Sequence, residues 1–373
     1  MNGKKRLSSS FLFTVLFFSF FLTVSLPQLT VPVAATELGT QGWTYRKSHT
    51  INSAAGAGTN YQIHIRCYYG AGGDNGDYVY LNGRARTDFG DVRFTDSSGN
   101  FLDYWLQKKE DSYYADFWVE VTADLTGQSA TIYVYYGKSD ATSSSNGADT
   151  FIFFGDFESQ TGWTYEETNV GFNGFYDTAV FKYTPTTSYK LLLPLSTTTS
   201  AGQYCQIKRT ITFDGSQVKI ELNVKDSSTS TSGYHHKRIY LDDTQLWSVD
   251  CSDFVSGDGY GWLAVSVSTT PSSGNHDLKL RLHENQGVTN LPINVWWDDV
   301  RIRKYVNPEP SHGAWEAEEK YVSGSWQTSQ LGWLQGWSYR KSHNVTGSTD
   351  GTQLNYQVKM TVYYGSGADN GAG

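Results

Sequence analysis

Tyr61-Gln-Ile-His-Ile-Arg-Cys-Tyr-Tyr69 puts Tyr61, Ile63, Ile65, Cys67 and Tyr69 on one side of an extended chain and Gln62, His64, Arg66 and Tyr68 on the other. Alternation with period two is the pattern of a strand that buries one face. The chain carries its own control. Tyr356-Gln-Val-Lys-Met-Thr-Val-Tyr-Tyr364 keeps the first face apolar, with Tyr356, Val358, Met360, Val362 and Tyr364. The other face exchanges His64 for Lys359 and Arg66 for Thr361. That freedom suits a solvated face and argues against a catalytic His64. Cys67 exchanges with Val362 and reads as a small buried hydrophobe.

The duplication is wider than one strand. Gln41-Gly-Trp-Thr-Tyr-Arg-Lys-Ser-His49 recurs as Gln335-Gly-Trp-Ser-Tyr-Arg-Lys-Ser-His343, and Asp74-Asn-Gly76 recurs as Asp369-Asn-Gly371. The offset is far too long for a solenoid unit, so a whole domain is repeated. The second copy stops at Gly373, too short to bury its own apolar faces. The expectation is a fragment of a longer reading frame.

Strand after strand follows the first copy: Tyr78–Leu81, Asp91–Phe94, Phe101–Gln107, Tyr114–Val121 and Thr131–Tyr136. A middle region reads the same way at Ala179–Tyr183, Cys205–Phe213, Val218–Val224, Arg238–Leu241, Trp262–Val267, Leu278–His283 and Asn294–Arg303. Turn signals at this spacing predict all-β sandwiches with no helix longer than about three turns. Composition agrees. The 373 residues allow two or three domains, and 15% aromatic with only 18% charged residues is neither a disordered nor a coiled-coil composition. A net charge of −8 argues against a nucleic-acid partner.

Residues 1–35 read as a secretory signal. Lys4, Lys5 and Arg6 precede the apolar run Phe11–Leu26, and Val33-Ala34-Ala35 offers a cleavage site. Its removal takes the formal net charge from −8 to −11 and leaves no segment apolar enough to span a membrane. The remaining boundaries are a first sandwich at 36–152, a middle sandwich at 153–305, a linker at 306–334 opened by Asn307-Pro-Glu-Pro310, and the truncated copy at 335–373. Glu316, Glu318 and Glu319 then fall in a solvated acidic linker.

The first domain resembles the domain-of-unknown-function 2341 family. The residues that carry the resemblance are Gly42-Trp-Thr-Tyr-Arg-Lys47, Asp88-Phe-Gly-Asp-Val-Arg-Phe94, Leu102-Asp-Tyr-Trp105, Thr131-Ile-Tyr-Val-Tyr-Tyr-Gly137 and the exit Asp149–Phe157. The likeness spans about residues 40–157 and again 335–373. It implies a lectin-like (concanavalin-like) β-sandwich on an extracellular multidomain protein and carries no activity. The middle domain resembles a jelly-roll carbohydrate-binding module, through Gly155-Asp-Phe-Glu158 and Trp296-Trp-Asp-Asp-Val-Arg-Ile302. That resemblance implies a structural calcium held by the Gly155 carbonyl, Glu158, and Asp298 or Asp299. Calcium takes several hard oxygens, and converging carboxylates repel without a cation.

Other candidates come from the residues themselves. Trp247, Tyr260 and Trp262 bracket the Gly-rich loop 256–261 and offer aromatic faces for stacking on sugar. Cys205 and Cys251 lie in one domain and are candidates for a disulfide, leaving Cys67 odd. Asn344-Val-Thr346 is a glycosylation sequon. Adjacent His235 and His236 point apart on a strand, which disfavours a metal pair. The Asn-Gly of Asp74–Asp77 reads as a turn. No acid pair has the spacing that sandwich glycosidases need, and no nucleophile motif occurs. The expected function is therefore non-catalytic: a secreted or cell-surface protein that binds polysaccharide or glycan. The alternatives are a structural or adhesive spacer, with a possible cell-surface partner, and an accessory region of a secreted hydrolase whose catalytic domain lies past residue 373.

Overall fold

A computed structural model describes residues 38–168, 171–180, 186–194, 199–227, 232–251, 261–287, 292–329, 357–362 and 364. Seven strands follow a short 3-10 turn: β1 (Tyr45–Asn52), β2 (Tyr61–Tyr68), β3 (Tyr78–Tyr80), β4 (Arg93–Asp96), β5 (Tyr104–Glu110), β6 (Tyr114–Val121) and β7 (Ala130–Tyr136). A single helical turn, Gly147–Thr150, capped by the Asn146 side chain, ends this part. Next come β8 (Phe153–Gly155), β9 (Thr164–Glu167), β10 (Asn173–Asp177), β11 (Ser188–Leu193), β12 (Tyr204–Asp214), β13 (Val218–Asp226), β14 (His235–Leu241), β15 (Thr244–Asp250), β16 (Leu263–Thr269), β17 (Ser273–Glu284) and β18 (Ile293–Lys304). Three more strands close the series: β19 (Ser311–Trp315), β20 (Glu319–Val322) and β21 (Ser325–Thr328). The all-β expectation holds, and the middle strands fall where alternation placed them, except that Ala179 and Val180 lie in a bend.

The first sandwich pairs a four-stranded sheet, β3-β2-β6-β5, with a six-stranded sheet, β21-β20-β1-β7-β4, in which β19 also pairs with β1. Ile63, Ile65, Cys67, Phe117, Val119, Ile132 and Val134 fill the space between them. The middle sandwich pairs β10-β11-β18-β13-β16, with β8 on β18, against β15-β14-β17-β12-β9. Its core is Leu191, Ile207, Ile220, Ile239, Leu278, Leu280, Leu282, Val295 and Trp297.

The expected linker is corrected by this topology. Residues 311–328 return to the first sandwich: His49 lies opposite Trp315 and Ile51 opposite His312, while Tyr45 and Arg46 lie opposite Lys320 and Glu319. Glu318 is fully buried there. It accepts from the Tyr136 hydroxyl at 2.6 Å and from Asn82 at 3.1 Å, and pairs with Arg84. Glu319 pairs with Arg46. These acids look solvated in sequence because their partners lie 182 to 273 positions away.

The two sandwiches meet through β18. Arg301 and Arg303 lie over the Trp118 ring at 5.3 and 5.0 Å, and Glu221 holds both guanidinium groups. Glu309 accepts from Arg303 at 2.6 Å, Lys219 at 2.8 Å and the Tyr61 hydroxyl at 3.0 Å. Those donors outweigh burial and hold the Glu309 carboxyl down at about 2. Among the described residues no helix is long and apolar enough to cross a membrane.

Candidate functional site

Strand alternation in the middle sandwich sends Leu278, Leu280 and Leu282 inward, and so turns Asp277, Lys279, Arg281 and His283 out. Register then lays rows across the five-stranded sheet. Tyr204, His283 and His236 form one row. Glu166, Gln206, Arg281 and Arg238 form the next. Lys208, Lys279 and Tyr240 form a third.

Arg281 is the centre of this face. Its guanidinium lies 3.6 Å from the centroid of the Tyr204 ring and 4.2 Å from that of Tyr240, so two tyrosines flank it. Its Nε donates to Gln206 at 2.8 Å, and Gln206 donates on to Glu166 at 2.7 Å. Arg238 donates to Asn285 at 2.6 Å and to the Tyr240 hydroxyl at 3.3 Å. Among the described residues neither Arg281 nor Arg238 has a carboxylate partner, whereas Lys208 pairs with Glu166 and Lys279 with Asp243. Burial pulls the Arg281 guanidinium below its ordinary value. Burial, reinforced by Arg238 and Arg281, pushes His283 down to about 4, so its ring is neutral near pH 7. Arg238 Nε and His283 Nδ1 are buried without a hydrogen-bond partner. Each such atom costs about 1–3 kcal/mol. Planar rings, amide and imidazole groups and two uncompensated cations suit a ligand rich in hydroxyls that carries negative charge. Asp277, Lys279, Arg281 and His283 carry no local motif in the sequence, and only cross-strand register reveals the cluster.

The residues expected to stack on sugar are placed differently. Trp262 is 3% exposed and offers no free ring face, whereas Trp247 is partly buried against the core. Tyr260 and Asn344 lie outside the described residues.

The expected disulfide is not formed: Cys205 and Cys251 are free and buried. Cys205 sits on β12, and Cys251 directly follows β15, with β17 and β14 between those strands. At about 4.8 Å per strand the two lie beyond the reach of a disulfide. His235 is buried against Glu284, and His236 lies on the outer face, which separates the pair.

The calcium candidates lie along the same side of β18. β8 lies on β18 with Gly155 opposite Val300, and β11 lies on the same edge with Tyr189 opposite Trp297. Asp298 and Asp299 fall between these pairings, both buried, at a bulge where Asp299 has φ 51°. Glu158 reaches the same edge and accepts from the Thr187 backbone N at 2.6 Å and its hydroxyl at 3.2 Å. Asn223 donates to Asp299 at 3.3 Å, and the Asp299 backbone N donates to Asp298 at 2.8 Å. The oxygens are of the kind calcium takes, and the carboxylates come from distant chain positions. Among the described residues no three metal-binding side chains are gathered closely enough to hold an ion. With Glu158 turned to Thr187, a calcium ion requires that carboxylate to swing.

Residues 88–166 match the model of a family described as domain of unknown function (DUF2341). The matched stretch crosses from the first sandwich into β9 of the second. No curated protein matches the chain. Solved structures similar to it include the CBM22-1 xylan-binding domain from Paenibacillus barcinonensis, at 15% identity over 41% of this chain and 94% of that one, TM-score 0.28. A family 16 carbohydrate-binding module is 16% identical over 41% of this chain and 99% of its own, TM-score 0.27. The K1 cleaved adhesin domain of Lys-gingipain from Porphyromonas gingivalis W83 is 12% identical over 41% and 98%, TM-score 0.31.

Proposed function

We propose that this chain is a non-catalytic carbohydrate-binding protein, exported after cleavage near Ala35, that holds an acidic polysaccharide on the outer face of β12, β17 and β14. The observation that carries the reading is Arg281, flanked by Tyr204 and Tyr240 beside Arg238, with no carboxylate among the described residues to neutralise either cation. A uronate or sulfate group pairs with the guanidinium groups, and ring hydroxyls meet Gln206 and His283. The tyrosine rings act as walls that fix the guanidinium. Glu166 is committed to Lys208 and Gln206, and so holds that edge of the face rather than acting as an acid catalyst.

Electrophoresis of the full chain through gels containing polygalacturonate tests the proposal. Retardation is expected, with at least a tenfold loss of affinity in Arg281→Ala. Equal mobility of the parent with and without polymer, or unchanged retardation of the variant, refutes it.

Calcium remains part of this proposal. An ion at Glu158, Asp298 and Asp299 pins β8 and β18 together and stabilises the sandwich by mass action. A thermal midpoint that rises with calcium, and ceases to do so in the Glu158→Ala, Asp298→Ala, Asp299→Ala variant, supports it. A midpoint indifferent to calcium and chelator refutes it.

A further inference from the structure

Three acids border the face around Arg281, and each is held elsewhere. Asp277 accepts from the Thr210 hydroxyl at 2.7 Å and stands 3.5 Å from Lys208. Asp243 pairs with Lys279 at 3.1 Å. Glu166 differs from both, because it stands in the same register row as Arg281 and only one of its oxygens has a cation. Its Oε1 meets Lys208 at 2.7 Å. Its Oε2 meets no cation among the described residues and accepts instead from Gln206 Nε2 at 2.7 Å.

The row runs acid, amide, cation, cation. Glu166 lies opposite Gln206, Gln206 opposite Arg281, and Arg281 opposite Arg238. At about 4.8 Å per strand, the Glu166 and Arg281 backbones stand about 10 Å apart, a gap that two long side chains close. Lys208 first, and Gln206 after it, hold the Glu166 carboxyl below its ordinary value, so it is charged at pH 7. Glu166 is therefore a competent partner for Arg281 and a rival to any acidic ligand. One amide separates the two. Its nitrogen donates to Glu166 while its oxygen accepts from Arg281 Nε at 2.8 Å. Only a side chain with a donor and an acceptor on one tip can do both. A carboxylate in its place would pair with Arg281 and repel Glu166, and an apolar side chain would hold neither. The bond to Nε also fixes the guanidinium between Tyr204 and Tyr240, and leaves its two terminal nitrogens to grip a ligand carboxylate.

We propose that Gln206 is the positioning residue that keeps this face selective for acidic polymers, by holding Glu166 away from Arg281. The proposal rests on the reading of this face as an acidic-polysaccharide site. It adds that the charge of the site is set by an uncharged residue.

The experiment uses the full chain and affinity electrophoresis through polygalacturonate. Gln206→Glu, close to the parent in shape, is expected to weaken retardation about tenfold by placing a carboxylate on Arg281. Gln206→Leu is expected to weaken it similarly, because Glu166 then swings onto the freed guanidinium. Adding Glu166→Gln to Gln206→Leu removes the rival and is expected to restore affinity to within about threefold of the parent. A merely structural Gln206 predicts the opposite, since the second substitution breaks a further ion pair and rebuilds no bond. A parent that polygalacturonate does not retard overturns the underlying reading and this proposal with it. A retarded parent whose Gln206 variants bind equally well overturns this proposal alone, as does a double variant no better than Gln206→Leu.

Discussion

Replacing Glu318 tests the return of residues 311–328 to the first sandwich. In the wild type the carboxylate is sealed from water and receives the Tyr136 hydroxyl, the Asn82 amide and Arg84. Glu318→Ala strands the Tyr136 hydroxyl in a buried site, at about 1–3 kcal/mol. Removing one partner of a buried ion pair costs about 3–5 kcal/mol when the other charge is trapped. Arg84 is 30% exposed and can turn toward solvent, which screens it and sets the total near the lower bound of the two terms together, about 4 kcal/mol. Glu318→Gln keeps the shape and an acceptor, and its cost falls to about 1 kcal/mol. Urea unfolding at pH 7, monitored by tyrosine and tryptophan fluorescence, measures both. Hydrogen exchange over 45–52 and 311–328 shows where the loss lies, because β1 pairs directly with β19 and β20. A Glu318→Ala protein within about 0.5 kcal/mol of the parent refutes the docking, as does exchange of 311–328 at free-peptide rates in the parent.

Three further outcomes follow from the same geometry. His49 is buried, donates or accepts at 2.8 Å with His312, and is held neutral down to about 3, chiefly by burial and then by His312. The unfolded chain takes up that proton below about pH 6.5, so stability falls as pH drops from there toward 4.5, by up to ~1.4 kcal/mol per unit per histidine. His49→Phe keeps the stack on Trp315 and flattens that slope in urea titrations, and an unchanged slope contradicts the assignment. Unfolded without reductant, the chain is expected to take three equivalents of a thiol reagent by intact mass, since Cys67, Cys205 and Cys251 are free. One equivalent would show a disulfide after all. Finally, Glu221→Ala leaves Arg301 and Arg303 without their shared carboxylate and loosens the join of the sandwiches. Limited proteolysis is expected to separate them at lower protease than in the parent, and identical cleavage curves count against it.

Alternation made much of the fold legible, because a strand that buries one face writes that face into every second residue. Tyr114–Val121 and Leu278–His283 are such strands. The return strands were hidden for the opposite reason. Ser311–Thr328 is rich in acids and glycine, and its burial depends on Arg46, Arg84 and Tyr136, which no local pattern connects to it. Trp262 was misleading in the other direction: its neighbours are turn residues, yet it is buried where β16 begins. The site around Arg281 was illegible because its members sit on three strands, each polar and unremarkable alone. The chemistry arises only when register aligns Gln206, Arg281 and Arg238.

The return of β19 and β20 to β1 also decides how the chain carries a load. The polypeptide enters the first sandwich on β1 and leaves it from strands hydrogen-bonded to β1. Tension applied between residues 45 and 328 therefore runs through that edge of one sheet. The whole of 153–304 is a side branch, outside the line of force. A pull that leaves the pairing of β1 intact leaves the middle sandwich unstretched, with the register of its outer face undisturbed. Rupture begins at the β1 edge, where Glu318 and Glu319 serve as fasteners, and only afterwards does the middle sandwich feel the pull.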